Sequence, residues 1–311
     1  MRSFVPGRAG TGVPDGWGIR RAVRLAFPDP AALVGDTVHT ERLRVYLTDL
    51  LRPYGLGLDP GALERGGQSY GEMAEALIQL AVPEGESVDL LVLAYSVPDI
   101  TPGRATTTYL SHVCPGGPMA FAVSDQGCAG AFTALRLIRA YAGGGGLGRA
   151  LLLVVEQDSL PYDPGVPVAV PAGNTGVALL FGEPAPGERV ARLGPVATHA
   201  LPSEAAIDAE LGAFAGFGEA SEPVTAILGA TLPAQSSALD GVKQLTVAAA
   251  GQPGTGVWWE LADELADPAA EPRRLLLADY DPGLRYLSLA AIGVGAESGA
   301  EAEVRVGGPL R

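Results

Sequence analysis

Basic residues are scarce in this chain: 21 Lys plus Arg stand against 35 Asp plus Glu in 311 residues, a formal net charge of −14. Such a surface repels phosphate backbones, so a nucleic acid partner is not expected. Cysteine is scarcer still. Cys114 and Cys128 are the only two, too few for a disulfide framework in a chain of this length, and a reducing cytosol would keep both as thiols. No apolar run approaches the roughly 20 residues that span a bilayer. Residues 1–27 alternate Gly, Arg and Pro with single apolar residues, without the continuous apolar stretch of a secretory signal. The expected location is cytoplasmic, with no membrane association, no bound cofactor and no metal.

What is present is an ordinary globular composition, 47% apolar and 18% charged, rather than a disordered one. The length suits one large domain or two fused halves. Continuous apolar runs at 88–94 (VDLLVLA), 119–123 (MAFAV), 150–155 (ALLLVV), 177–181 (VALLF), 224–228 (VTAIL), 275–278 (LLLA) and 286–292 (YLSLAAI) read as strands. Because they do not alternate with polar residues, they predict a sheet covered on both faces. Between them, 70–80 carries a helical stripe at Met73, Ala74, Leu77 and Leu80. A second stripe, Ala131, Leu135, Ile138 and Ala142, ends at four consecutive glycines, a helix stop. The order turn, helix, strand, loop, strand that follows Cys128 is echoed after Gly251-Gln252-Pro253-Gly254. The echo predicts a duplicated α/β core, with halves at 1–185 and 186–311.

The stretch FAVSDQGCAGAFTALRLIRAYA, residues 121–142, is the most informative. A buried strand ends at Ser124-Asp125, a short turn follows, and Cys128 opens a helix. Helix N-termini carry unpaired N–H groups and a partial positive charge, which favour a thiolate and lower a thiol's pKa. Gly127, Ala129 and Gly130 leave room for close approach of a substrate. The arrangement suits nucleophilic attack on a thioester, with Cys128 holding the acyl group covalently. The competing reading is a buried structural cysteine, a common fate for this residue.

This segment resembles the active-site region of the ketoacyl synthase III-like branch of the thiolase superfamily, through Asp125, Cys128, Ala129, Gly130 and Phe132. Residues 152–158 (LLVVEQD), 172–178 (AGNTGVA) and 276–286 (LLADYDPGLRY) are similar to later landmarks of that family. The resemblance spans roughly 70–295, and the first 60 residues match poorly. It implies a thiolase-like core of helix–sheet–helix–sheet–helix layers and a dimer, either a homodimer or a heterodimer with a ketosynthase-like homologue. It also implies acyl-CoA or acyl-carrier-protein thioesters as substrates.

The resemblance breaks at the auxiliary residues. The family condenses acyl groups by decarboxylation with Cys, His and Asn together. Here the segment 227–235 (ILGATLPAQ) holds no histidine, and Gln252 stands where Asn is expected. The family's oxyanion turn appears as Tyr280-Asp281-Pro282-Gly283. Pro282 has no N–H to give, which leaves Gly283 or Asp281 as the backbone donor. The loop 158–173 is short and rich in proline. His199 is the histidine to test for reach to Cys128; His39 and His112 read as structural or surface residues. Asp125 reads as structural, and Glu156, Gln157 and Asp158 are weak candidates for a base. Arg20, Arg21, Arg24, Arg42 and Arg44 could gather into a carrier-protein docking patch.

The expected activity is transfer of an acyl group through Cys128 without decarboxylative condensation, in secondary-metabolite or polyketide biosynthesis. A non-catalytic partner subunit of an active homologue is the alternative, and a decarboxylative 3-oxoacyl synthase with substituted residues is a third.

Overall fold

The structure is a computed structural model. It describes residues 16–295 except 31–34, 66, 102–104, 186–187, 189, 201–202, 216–222 and 267–271. The elements in chain order are β1 (Gly18–Ala26), α1 (Thr37–Leu51), α2 (Pro60–Arg65), α3 (Tyr70–Ala81), β2 (Leu90–Ala94), α4 (Thr106–Val113), β3 (Met119–Val123), α5 (Ala129–Gly143), β4 (Ala150–Glu156) and β5 (Thr175–Gly182). There follow β6 (Ala191–Ala200), α6 (Glu204–Ala215), β7 (Val224–Leu228), β8 (Gln244–Val247), α7 (Gly256–Ala266), β9 (Arg273–Asp281) and β10 (Tyr286–Val294). All seven apolar runs are strands, and both helical stripes are helices. The N-terminal strand β1, the outer strand β6, the edge strand β8 and helices α1, α2 and α6 lie where the sequence carries weaker patterns.

The strands form one mixed sheet in the order β3-β2-β4-β5-β1-β6-β10-β9-β7-β8. Read outward from the β1–β6 seam, the two sides have the same connectivity. β2 pairs parallel with β3 and β4, and β5 runs antiparallel to β4 and β1. β7 likewise pairs parallel with β8 and β9, and β10 runs antiparallel to β9 and β6. α4 links β2 to β3, α5 links β3 to β4 and α7 links β8 to β9, the crossovers that parallel strands need, whereas β7 reaches β8 through a loop holding a short 3-10 turn at Ser237–Leu239.

Side-chain alternation explains why the runs are continuously apolar. In β2, Leu90, Val92 and Ala94 face a central cluster, while Leu91 and Leu93 face an outer one. In β4, Leu152 and Val154 face inward, and Leu151, Leu153 and Val155 outward. In β9, Leu275 and Leu277 face the central cluster, and Leu276 and Ala278 face a third, beneath α6. α3 and α4 cover the outer side of the first half of the sheet. α5 and α7 fill the middle, where the Phe132 and Trp258 rings meet at 4.8 Å. The layers therefore run helix–sheet–helix–sheet–helix, as the resemblance implies.

The hydrophobic stripe of α5 gives Ala131, Phe132, Leu135, Ile138 and Ala142 to the centre, and a side chain the size of Leu or Phe gains about 1.5–3 kcal/mol on full burial. That packing fixes where the helix begins, and so where Cys128 sits. Among the described residues, no helix is long and apolar enough to cross a membrane.

Candidate active site

β3 ends at Val123 and α5 begins at Ala129, so five residues must reverse the chain. They do so through two left-handed residues, Asp125 at φ 61° and Gly127 at φ 53°. Ser124 donates to Asp125 at 2.8 Å, and Thr133 donates to the Gln126 side chain at 2.7 Å, bracing the turn from both ends. Asp125 thus has the structural place expected of it, in a conformation that costs a non-glycine residue about 1–2 kcal/mol. Gly127 is required for a further reason. The Asp281 carboxylate lies against its Cα, and a Cβ there would collide with it.

Cys128 caps α5 and is buried. Its thiol meets two acids from the far half of the sheet. Asp279 and Asp281 both stand beside it. Both lie in phase with Leu275 and Leu277, the inward residues of β9, which explains why they project into the central layer. The expected lowering of the thiol pKa does not occur. Burial is the largest cause, and the charges of Asp279 and Asp281 add to it, so the thiol is pushed well above the ordinary value. The helix N-terminus offers little in return. The Ala129 N–H already donates to the Gln126 carbonyl at 3.0 Å, and the Gly130 N–H to that of Gly127 at 3.3 Å.

Asp279 is itself deeply buried, 6% exposed. Burial raises its carboxyl to about 8, and the nearby Asp281 and Glu156 charges act in the same direction. The Tyr280 N–H donates to its Oδ1 at 2.9 Å. Gly229, just beyond β7, gives it space, since a Cβ at that position would strike the Asp279 carboxylate.

The other central helix has a matching arrangement with the halves exchanged. α7 starts after Thr255, and Glu156, the inward residue at the end of β4, reaches across to it. Glu156 accepts from the Gly254 N–H at 2.7 Å, the Thr255 N–H at 3.2 Å, the Thr175 hydroxyl at 2.9 Å and the Thr255 hydroxyl. Burial raises its pKa despite these donors. Glu156, a weak candidate from sequence, is therefore a cap on α7. Its neighbour Gln157 is a bracket: fully buried, it accepts from the Ile100 N–H at 3.0 Å and donates to the Gln68 carbonyl. The Asp158 N–H donates to Asn174 at 3.1 Å.

The remaining candidates fall in different places. Gln252 lies in the turn before α7, where its carbonyl accepts from the Gly256 N–H at 3.0 Å and its N–H donates to the Ala249 carbonyl at 3.1 Å. Gly283 is in the exposed turn between β9 and β10, and there Asp281 Oδ1 takes the N–H of Leu284 at 2.9 Å. His199 lies within β6. It pairs in register with Leu287, whose side chain is in the cluster beneath α6, and its Nδ1 is 3.7 Å from Glu210. The sheet therefore separates His199 from the central layer that holds Cys128. Arg20 is taken up by Glu86 and Glu188, at 2.7 and 2.6 Å, and Arg24 by Asp263 at 2.6 Å. Those two residues are engaged within the chain rather than offered to a partner. Sequence reasoning missed Asp279, although the signal was there: an acid in phase with the inward leucines of a buried strand, at the place where β4 carries Glu156.

Comparison by sequence finds no family model and no curated protein that matches the chain. Comparison of structures does find similar folds. AbyA1, a tetronic acid condensing enzyme, superposes with a TM-score of 0.55 at 19% identity, over 89% of this chain and 99% of its own. ChlB3, described as an acyltransferase, gives 0.56 at 19% identity, over 89% and 97%. A cysteine-to-serine variant of Xanthomonas campestris OleA, with bound lauric acid and lauroyl-CoA, gives 0.58 at 14% identity, over 90% and 99%. The fold is the thiolase fold. Of these neighbours, one is described as a condensing enzyme and another as an acyltransferase.

Proposed function

We propose that this chain is an acyltransferase that takes an acyl group from a coenzyme A or carrier-protein thioester onto Cys128 and passes it to an acceptor. The observation that carries the reading is the position of Cys128, at the head of the buried central helix of a thiolase fold, under the turn contributed by the opposite half of the sheet. A neighbour with this fold binds lauroyl-CoA, and another is described as an acyltransferase; both agree with thioester chemistry here.

Plain transfer is favoured over decarboxylative condensation on electrostatic grounds. Decarboxylation builds an enolate that cations stabilise, whereas the groups acting on Cys128 are two acids, Asp279 and Asp281, and neither is cationic. A place in secondary-metabolite biosynthesis, with a homodimer or a ketosynthase-like partner, completes the proposal.

The test is intact-mass spectrometry after incubation with acyl-CoA and acyl-carrier-protein thioesters. The expected result is a single acyl adduct that disappears in Cys128→Ala, with no carbon dioxide released from a malonyl thioester. Absence of an adduct from every donor would overturn it. One observation favours a second reading, a non-catalytic partner subunit: Asp281 takes up the N–H of the turn and sets a negative charge beside the thiol. That reading predicts no adduct and a stable complex with an active homologue.

A further inference from the structure

We propose that Asp279 is the general base that takes the proton of the Cys128 thiol as its sulfur attacks. The nature of the electrophile rests on the acyl-transfer reading above; the assignment of the base rests on the arrangement of the groups.

The comparison of the two central helices carries the argument. At α7, the Glu156 oxygens receive four donors, two backbone N–H groups and two hydroxyls, so that carboxylate is saturated and serves as a cap. At α5, the equivalent carboxylate, Asp279, receives one donor, the Tyr280 N–H at 2.9 Å, and has the Cys128 thiol beside it. Its remaining capacity faces a proton that can leave. The carboxylate is also held in place, buried at the end of β9 against the Cα of Gly229, in a niche that any side chain at 229 would fill. The charged and titratable groups facing it are Cys128 on α5, Asp281 beyond it on β9 and Glu156 on β4. None is cationic. Burial among acids makes this carboxyl a stronger base than a solvent-exposed one, with a value of about 8, close to the pH at which such a group transfers protons most effectively.

The step balances without a co-reactant. The Cys128 sulfur forms a bond to the thioester carbonyl carbon while the Asp279 carboxylate accepts the thiol proton. The tetrahedral intermediate collapses, the bond to the donor's sulfur breaks, and Asp279 returns the proton to the departing thiol. In the second half the acceptor's O–H, N–H or S–H gives its proton to Asp279, and the released Cys128 sulfur recovers it.

The experiment measures alkylation of Cys128 by iodoacetamide, read on the Cys128 peptide so that Cys114 does not contribute, alongside acylation by thioesters. With Asp279→Asn, alkylation at pH 7.5 is expected to slow tenfold or more, while the unfolding midpoint holds or rises. Alkylation as fast as wild type, or faster, would overturn the proposal, because an acid that only repels the thiolate gives that result when removed. A second measurement uses the unaltered protein. Proton transfer to Asp279 during attack makes alkylation slower in D2O at matched pD, and no slowing would refute it. A wild type that shows Asp279-dependent alkylation but takes no acyl group from any thioester supports the base and sinks only the acyl-transfer reading.

Discussion

Replacing Asp279 by Asn should make the protein more stable, and increasingly so as the pH rises. The carboxyl ionises near 3.8 in an unfolded chain and at about 8 in the folded one, because burial beside Asp281 and Glu156 penalises its charge. Between those values the folded protein holds a proton that the unfolded chain has released, so raising the pH draws the equilibrium toward the unfolded side. The stability this group contributes is complete below about pH 4 and lost by the time the pH passes 8. Each pH unit within the window is worth about 1.4 kcal/mol, which makes the full effect on the order of 5 kcal/mol. Urea unfolding of wild type and Asp279→Asn at half-unit intervals from pH 4 to 9 isolates the contribution as the difference between two curves. The two should converge at the acid end and diverge steadily above it, with the Asn variant ahead. Parallel curves, or a variant less stable at pH 8 than wild type, would refute the claim that burial raises this carboxyl above its ordinary value. The same chemistry sets activity against stability: ionisation of Asp279 arms the thiol and weakens the fold, the trade expected at a working site.

Two other substitutions probe the frame around the cysteine. Gly127→Ala should cost about 1–3 kcal/mol in urea unfolding, since alanine must adopt the left-handed conformation and displace the Asp281 carboxylate; an unchanged midpoint would show that the turn is not constrained as described. Glu156→Ala should be more costly, about 3 kcal/mol, because it strips the acceptor from two backbone N–H groups and two hydroxyls at the buried start of α7, and a loss below about 1 kcal/mol would contradict its role as a cap.

The layered fold was legible in the chain because strands buried on both faces leave continuous apolar runs, and β2, β4 and β9 show that double burial residue by residue. β6 was harder to read. Its residues at 196–199 are only half-buried, and a strand of that kind carries polar side chains such as Thr198 and His199 among its apolar ones. The position of Cys128 was likewise local information, set by the end of one strand and the hydrophobic stripe of the helix after it. Its chemical environment was not local. Asp279 and Asp281 are about 150 residues away along the chain, at the end of a strand in the other half of the sheet. Only the packing of α5 against α7, with both halves of the sheet turned toward them, brings those acids to the thiol. Sequence by itself determined which residue opens the central helix, because a strand, a turn and a helix suffice to present a side chain. The tertiary structure decided what faces it, because an electrostatic environment is the sum of charges brought together through space. Here the facing groups are acids, and together with burial they favour a protonated thiol over the thiolate expected from a helix N-terminus.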